Sequence, residues 1–315
     1  MDRLTGMWLL LAALAAPGCS LKTYAINMVG DALSSGDSVY ETDDDLELVG
    51  AALPFGLKLT ESLLAQSPGH RGLLLTACRG FTLYSFAYVG YAAEIAVDED
   101  VDRARALRVR ARRLYLRGFG YCVRALERSY PGLRAALASD PDTAVSVFKA
   151  EDKERDLPLI YWSAASLGLS ISVSKHDAAM LGRLPEVRAL LDRALELDEA
   201  WDAGALHEFQ VVLAAASPGT PDVTLIRPHY MRAVDLSGGT SASVHLAYAA
   251  AVSVPLQNAS EFRELITRAL AVDPDATPEN RLVNLLAHRR AHWLAARADQ
   301  LILDNEAAAP EGREP

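Results

Sequence analysis

The sequence has almost no strand signal. No run of more than a few residues alternates apolar with polar at period two, so a sheet-based fold is excluded. It also lacks a P-loop, a dinucleotide glycine pattern, G-x-S-x-G and H-E-x-x-H. With no nucleophile beside a base and no metal-ligand set, a catalytic role has no residues to carry it, and no cofactor or metal is expected. Basic residues are outnumbered, 31 Lys and Arg against 41 Asp and Glu, for a formal charge of −10. An acidic chain lacks the basic face that displaces counterions from a phosphate backbone, so general nucleic-acid binding is excluded as well. Cysteine is scarce, with three residues in all.

What is present is helix. The chain is rich in Ala, Leu and Arg, and one stretch sets its pattern: L-D-R-A-L-E-L-D-E-A-W, Leu191 to Trp201. A small residue sits on an apolar helix face, Leu follows, and an Asp ends the helix. Looser copies occur at Met231–Gly239, Thr267–Asp275, Val123–Pro131 and Thr60–Pro68. The small residues (Ala194, Ala233, Ala269, Ala125 and Ser62) should let a neighbouring helix approach closely. Ala194 and Ala233 are 39 residues apart, and Ala233 and Ala269 are 36 apart. Periods of this length mean stacked helix pairs. The fold expected is therefore all-α: a tetratricopeptide (TPR)-like helical repeat, an α-solenoid of antiparallel helix pairs. Such a stack grows along one axis and need not split into domains.

Residues 1–18 read as an export signal of lipoprotein type. Arg3 gives a weakly positive start, Met7–Ala16 is an apolar run too short to span a bilayer, and A-P-G-C follows at Ala16–Cys19. Small residues before Cys19 suit lipidation of that thiol; the alternative is ordinary cleavage after Ala15. Ser20 rather than Asp after the Cys favours an outer-membrane address. Residues 19–42 read as a lipid-anchored, irregular lead-in, 43–304 as the repeat domain and 305–315 as a frayed tail. Cys78 and Cys122 both fall on apolar helix faces, and the expectation favours two buried thiols over a bridge.

Along the repeat domain, Asp43–Asp45 opens a helix from Leu46 to about Ala65, which Pro54 should kink or divide. Its partner runs over Arg71–Val97 with Phe81, Tyr84, Tyr88 and Tyr91 in a stripe that reads as core. The next helix runs from Asp98–Asp102 to about Ser129. It carries Arg103, Arg105, Arg108, Arg110, Arg112, Arg113 and Arg117, read as a solvated face neutralised by neighbouring acids. Short helices follow near 133–138 and 142–150. Asp156 and Pro158 open a long helix with Pro in its first turn. After a link over 174–182, pairs are expected at 185–198 with 202–216, 222–237 with 240–254, and 259–272 with 278–304.

Few residues could carry chemistry. His288 and His292 are four apart on one helix, but no third ligand is near and Arg289 and Arg290 would repel an ion. His207 and Glu208 are adjacent, and adjacent helix residues diverge by about 100°, so they cannot face one point together. A buried hydrogen-bonded network is the leading reading for His207. Polar residues are dense in N-R-L-V-N-L-L-A-H-R-R-A-H-W, Asn280–Trp293, which suggests a polar seam or cavity wall. Tyr161, Trp162, His207, Tyr230, Asn284, Arg289 and Trp293 are the candidates to line a ligand cavity, several converging on one space.

Seven segments carry a resemblance. They are A-L-P-F-G-L-K at Ala52–Lys58, H-R-G-L-L-L-T-A-C at His70–Cys78, L-I-Y-W-S-A-A at Leu159–Ala165 and L-L-D-R-A-L-E-L-D at Leu190–Asp198. The others are G-A-L-H-E-F at Gly204–Phe209, H-Y-M-R-A-V-D-L-S-G-G at His229–Gly239 and the Asn280–Trp293 stretch. Together they resemble the TatT family, TPR lipoproteins associated with tripartite (TRAP) transporters. The resemblance implies a non-enzymatic envelope lipoprotein on the periplasmic face, held by lipid and assembled as a homotrimer, with a central cavity or pore in each protomer. It implies a periplasmic TRAP solute-binding protein as partner and a small, apolar or carboxylate ligand to shelter or pass on. A general TPR scaffold for envelope assembly or secretion is the alternative.

Overall fold

The computed structural model describes residues 18–34, 39–214 and 219–303, with side chains described from residue 26. Of the chain, 78% is helical, and no strand occurs among the described residues. Helix α1 is Gly18–Ser34, α2 Leu46–Gln66 and α3 Arg71–Tyr84, which passes through a π turn (Ser85–Gly90) into α4, Tyr91–Ile95. Then come α5 Val101–Glu127, α6 Leu133–Ser139, α7 Pro141–Val145, α8 Lys153–Ser172, α9 Ala178–Leu181 and α10 Leu184–Asp198. A 3-10 turn, Trp201–Gly204, leads into α11, Ala205–Ala214. The last part holds α12 Val223–Leu236, α13 Ala242–Tyr248 with its π extension Ala249–Ser253, α14 Ala259–Ala271, α15 Arg281–Ala295 and α16 Ala298–Leu301. Residues 1–17, with most of the signal, and the tail lie outside the described residues.

Local chemistry sets the starts. Asp45, Asp100, Asp177, Asp222 and Asn258 each accept a backbone N–H of the helix that follows, meeting donors the helix cannot satisfy itself. Pro54 does not divide α2, which runs unbroken through it. Pro158 is not in a first turn. The helix begins at Lys153 with Glu154 and Asp156 in its first turn, and Pro158 is its sixth residue. The lead-in is not wholly irregular, since 18–34 is helical. Its docked side is polar or small: Asn27 accepts from Ser67 at 2.7 Å, Gly30 lies against His70 and Ser34 against Gly72. Met28, Val29 and Leu33 face outward. Met28, Val29 and Leu33 therefore do not mark the docked face of α1.

Small residues bring the helices together as the repeat requires. Ala125, Ala194, Ala233 and Ala269 are all fully buried. Ser62 is not: it is exposed, and its hydroxyl donates back to the Lys58 carbonyl. At Gly118 the approach of α3 and α5 is closest. A Cβ there would lie 2.9 Å from the Cys78 carbonyl oxygen, closer than a side chain tolerates. One turn on, Cys78 and Cys122 form a disulfide, with Cα atoms 5.4 Å apart. The expected free thiols are thus corrected, because the glycine contact brings the two faces within bridging distance.

The interior falls into two main cores. The first spans Leu57 to Leu213, from α2 to α11. The second spans Val211 to Ile302, from α11 to the segment after α16. Helix α11 is shared: Leu206, Phe209 and Leu213 face the first core and Val211 the second. By length and composition α2 could cross a bilayer, but it packs on α3 with Val49, Leu57, Thr60 and Leu64 buried.

The stack then closes on itself. Successive helices touch from α2 through α3, α5, α8, α10 and α11 to α13, α14 and α15, and α15 returns to α2. The Leu282 amide donates to the Glu41 carbonyl at 3.0 Å and Arg281 to the Thr42 carbonyl at 3.0 Å. Arg289 donates to the Ala87 carbonyl in the π turn at 2.9 Å. Arg290 pairs with Glu94, Arg297 with Asp98, and Trp293 packs edge-on against Tyr91. Of the aromatic stripe, only Phe81 is fully buried; Tyr88 and Tyr91 are part of the surface that receives the last helix, with Arg289 over both rings.

Candidate functional site

The seam between the two cores holds a polar and aromatic recess. Tyr161 on α8 contacts Trp162 at 5.1 Å, Trp201 at 4.9 Å and Phe209 on α11 at 6.2 Å between ring centroids. Arg79 on α3 lies over Trp162 at 5.7 Å and meets Glu41 of the lead-in. The 3-10 turn after α10 brings Asp202 to the same place. Its backbone is strained: Asp202 and Ala203 hold φ of 49° and 51°, and Gly204 follows at 90°. Gly204 is required there, because a Cβ would press on Leu236 Cβ at 3.0 Å and Ala233 Cα at 3.2 Å. Glu208, one turn into α11, hydrogen-bonds Ser243 of α13.

The titratable groups of the recess are desolvated together. Asp202 is solvent-accessible, yet desolvation raises its carboxyl above the usual range, with Arg79 opposing the shift. Desolvation, with Asp202 adding to it, raises Glu208 to about 7 against the opposing Ser243 hydrogen bond. Arg79 is pushed down by burial, and Tyr161 up. Desolvation is the largest influence on each of these four groups, ahead of any charged neighbour. The recess thus combines aromatic walls, one guanidinium, and two carboxyl groups of which Glu208 exchanges its proton near neutral pH. Such a space can hold an apolar body and orient a polar or charged end.

Of the residues predicted from sequence, Tyr161 and Trp162 meet here, and the others make their contacts elsewhere. His207 turns away from Glu208, as the helix geometry requires. Its Nδ1 lies 2.8 Å from Nδ1 of His229, and its Nε2 is 3.5 Å from Glu199. Burial lowers both histidines, so the neutral, hydrogen-bonded pair is favoured. The Tyr230 hydroxyl bonds His245 Nδ1 at 3.0 Å, inside the second core. Asn284 is a cap supplied by another helix: its Oδ1 accepts the Ala242 amide at 3.0 Å and its Nδ2 donates to the Thr240 carbonyl at 2.9 Å. Arg289 and Trp293 close the ring. Each uses its polar or aromatic character to join helices, so polar density marked structural joints as readily as the recess.

Sequence reading missed Arg79, Trp201, Asp202 and Ser243. Trp201 closed the repeat that set the pattern and Asp202 followed it, and their signal was a helix break followed within three residues by Gly204. Arg79 carried no signal, because a lone Arg on a helix reads as surface. The arginines of α5 were expected to be neutralised. Arg105, Arg112 and Arg117 are paired, with Asp102, Asp177 and Glu61. Arg103, Arg108, Arg110 and Arg113 are exposed without a carboxylate partner among the described residues, a correction to that expectation.

The fold is a closed all-α helical repeat whose seam holds a polar and aromatic recess. The comparison with known families makes that specific. The TRAP transporter T-component family model matches residues 42–302, and the chain belongs to that family. It is also similar to an uncharacterized protein of Treponema pallidum (strain Nichols), 29% identical over 309 residues, covering 93% of this chain and 96% of the relative. The protein is therefore a component of a TRAP-type, envelope-associated transport system.

Proposed function

We propose that the protein is a non-enzymatic periplasmic lipoprotein that docks the solute-binding protein of its TRAP system and shelters or passes on a small ligand. The observation that carries this reading is the desolvated recess of Arg79, Tyr161, Trp162, Asp202 and Glu208, inside a ring of a transport-system family. Anchoring through Cys19 fits the sequence at Ala16–Cys19, and the backbone of α1 begins there. A homotrimer would cover exposed apolar surface. Leu48, Phe55 and Leu59 form a stripe on α2, Phe55 being 74% exposed, and Met28, Val29 and Leu33 lie outward on α1. The test is association of the purified mature protein with the solute-binding protein of the same system, followed by sedimentation velocity. A defined complex is expected. No complex, together with co-purification of envelope-assembly or secretion proteins, would replace this reading with a general scaffold role.

A further inference from the structure

Three of the four unpaired arginines of α5 share a face, and Arg108 lies off it. Arg103, Arg110 and Arg113 stand at i, i+7 and i+10, which places them on one stripe spanning about 15 Å along the axis. Arg117, four residues on, continues it and is held by Glu61. The acids nearest the stripe are mostly engaged elsewhere. Asp98 pairs with Arg297, Asp100 caps the helix through the Arg103 amide, and Asp102 binds Arg105. On a chain of formal charge −10, an exposed cationic stripe is the exception to the surface field.

We propose that this stripe of α5 is the docking face for an acidic protein partner, and, resting on the function proposed above, that the partner is the TRAP solute-binding protein. Charge complementarity carries the argument. An acidic partner is repelled by most of this molecule and attracted at one face, so the field selects both the partner and its orientation. Guanidinium groups suit the task because each presents several donors in a plane that matches a carboxylate. Arg103, Arg110 and Arg113 make no ion pairs among the described residues that would have to break before binding.

Position favours a protein over a lipid surface. Helices α3 and α5 run antiparallel: Arg71 reaches the Ala125 carbonyl, Cys78 bonds Cys122, and Ser85 donates to the Ala111 carbonyl. Helix α1, which follows the site of the proposed anchor, docks by Asn27 at Ser67 and His70, at the Ala125 end. The stripe lies 12 to 22 residues from that end, roughly 18–33 Å along the axis, towards the other end of α5.

The experiment compares wild type, the triple variant Arg103→Glu/Arg110→Glu/Arg113→Glu and the charge-keeping variant Arg103→Lys/Arg110→Lys/Arg113→Lys. Binding to the solute-binding protein is measured at low and high salt, and binding to vesicles containing phosphatidylglycerol is measured in parallel. The glutamate variant should keep its helical circular dichroism, since the three side chains touch no core residue. It should lose affinity at least about tenfold, the lysine variant should retain most of it, and wild-type affinity should fall with salt. Equal affinity of wild type and glutamate variant would overturn the assignment while leaving docking itself intact. Arginine-dependent vesicle binding with unchanged protein binding would overturn it in favour of lipid. No wild-type complex at all would remove the docking reading and this face with it.

Discussion

The two cores are built by different means. The part from α1 to α10 holds the longest helices, α2, α5 and α8, joined by strong, specific links. A disulfide ties α3 to α5, and Asp156, 1% exposed, takes hydrogen bonds from Arg71 at 2.8 Å, from Arg155 at 2.9 Å and from the Tyr130 hydroxyl. From α11 to α16 the helices are shorter. They are held by Ala-lined contacts and neutral polar joints, the His207–His229 pair, Tyr230–His245 and the Asn284 cap. The difference teaches where stability and adaptability lie. The first half is cross-linked and fixes the wall that carries Arg79, Tyr161 and Trp162. The second half brings Ser243 to that wall through packing and the Asn284 hydrogen bonds to Thr240 and Ala242.

The largest expected effect breaks the first half. The Cys78–Cys122 bridge closes a 44-residue separation, and loss of the cross-link from the unfolded chain is worth about 4 kcal/mol in the chain-entropy account. Chemical denaturation with and without reductant should differ by about that amount, while the Cys78→Ala/Cys122→Ala variant should show no response to reductant. An unchanged midpoint in reductant would mean that the bridge does not form in the folded protein.

Next comes Asp156. Replacing it by Ala leaves Arg71, Arg155 and Tyr130 without their shared acceptor and should cost about 3 kcal/mol, as removal of one partner from a buried ion pair does. The hydrogen bonds from Arg155 and Tyr130 outweigh burial and hold its carboxyl below the usual range. Its contribution is therefore present above the unfolded carboxylate range and is lost as pH falls through the depressed folded value. Wild type should lose stability in acid, and the Asp156→Ala variant should lose less over the same window, as read by urea denaturation at several pH values.

The smallest effect has the opposite sign and belongs to the seam. Glu208 is raised to about 7, chiefly by desolvation. Folding thus favours its protonated form, and its charged form opposes folding as pH rises above the unfolded carboxyl range. Glu208→Gln should stabilise the protein at pH 8 by no more than about 2 kcal/mol, allowing for partial solvent access, with the gain vanishing towards pH 4. A destabilised variant at pH 8 would show that the carboxylate is needed for the fold and not kept for the recess.

The same contrast explains what could be read from sequence. Repeat period, helix pairing and caps were legible because small residues, Asp, Pro and Gly mark them locally. The recess was half legible. Tyr161 and Trp162 stood out as adjacent aromatics, but Arg79 and Asp202 reach them from helices far apart in sequence. Ring closure and the disulfide depend on the same long-range geometry, and α1 hid its docked face behind polar residues. Asn284 and His207 were recognised as buried polar groups, and only the packing reveals that each joins a neighbouring helix.

The seam recess is proposed to hold a ligand, and native mass spectrometry of the purified protein is the direct measurement. Wild type should carry a bound small molecule that is lost in Trp162→Ala and reduced in Glu208→Gln, while His207→Ala, outside the recess, retains it. A wild-type protein free of any small molecule, or one whose bound molecule is unaffected by both recess variants, would contradict the claim.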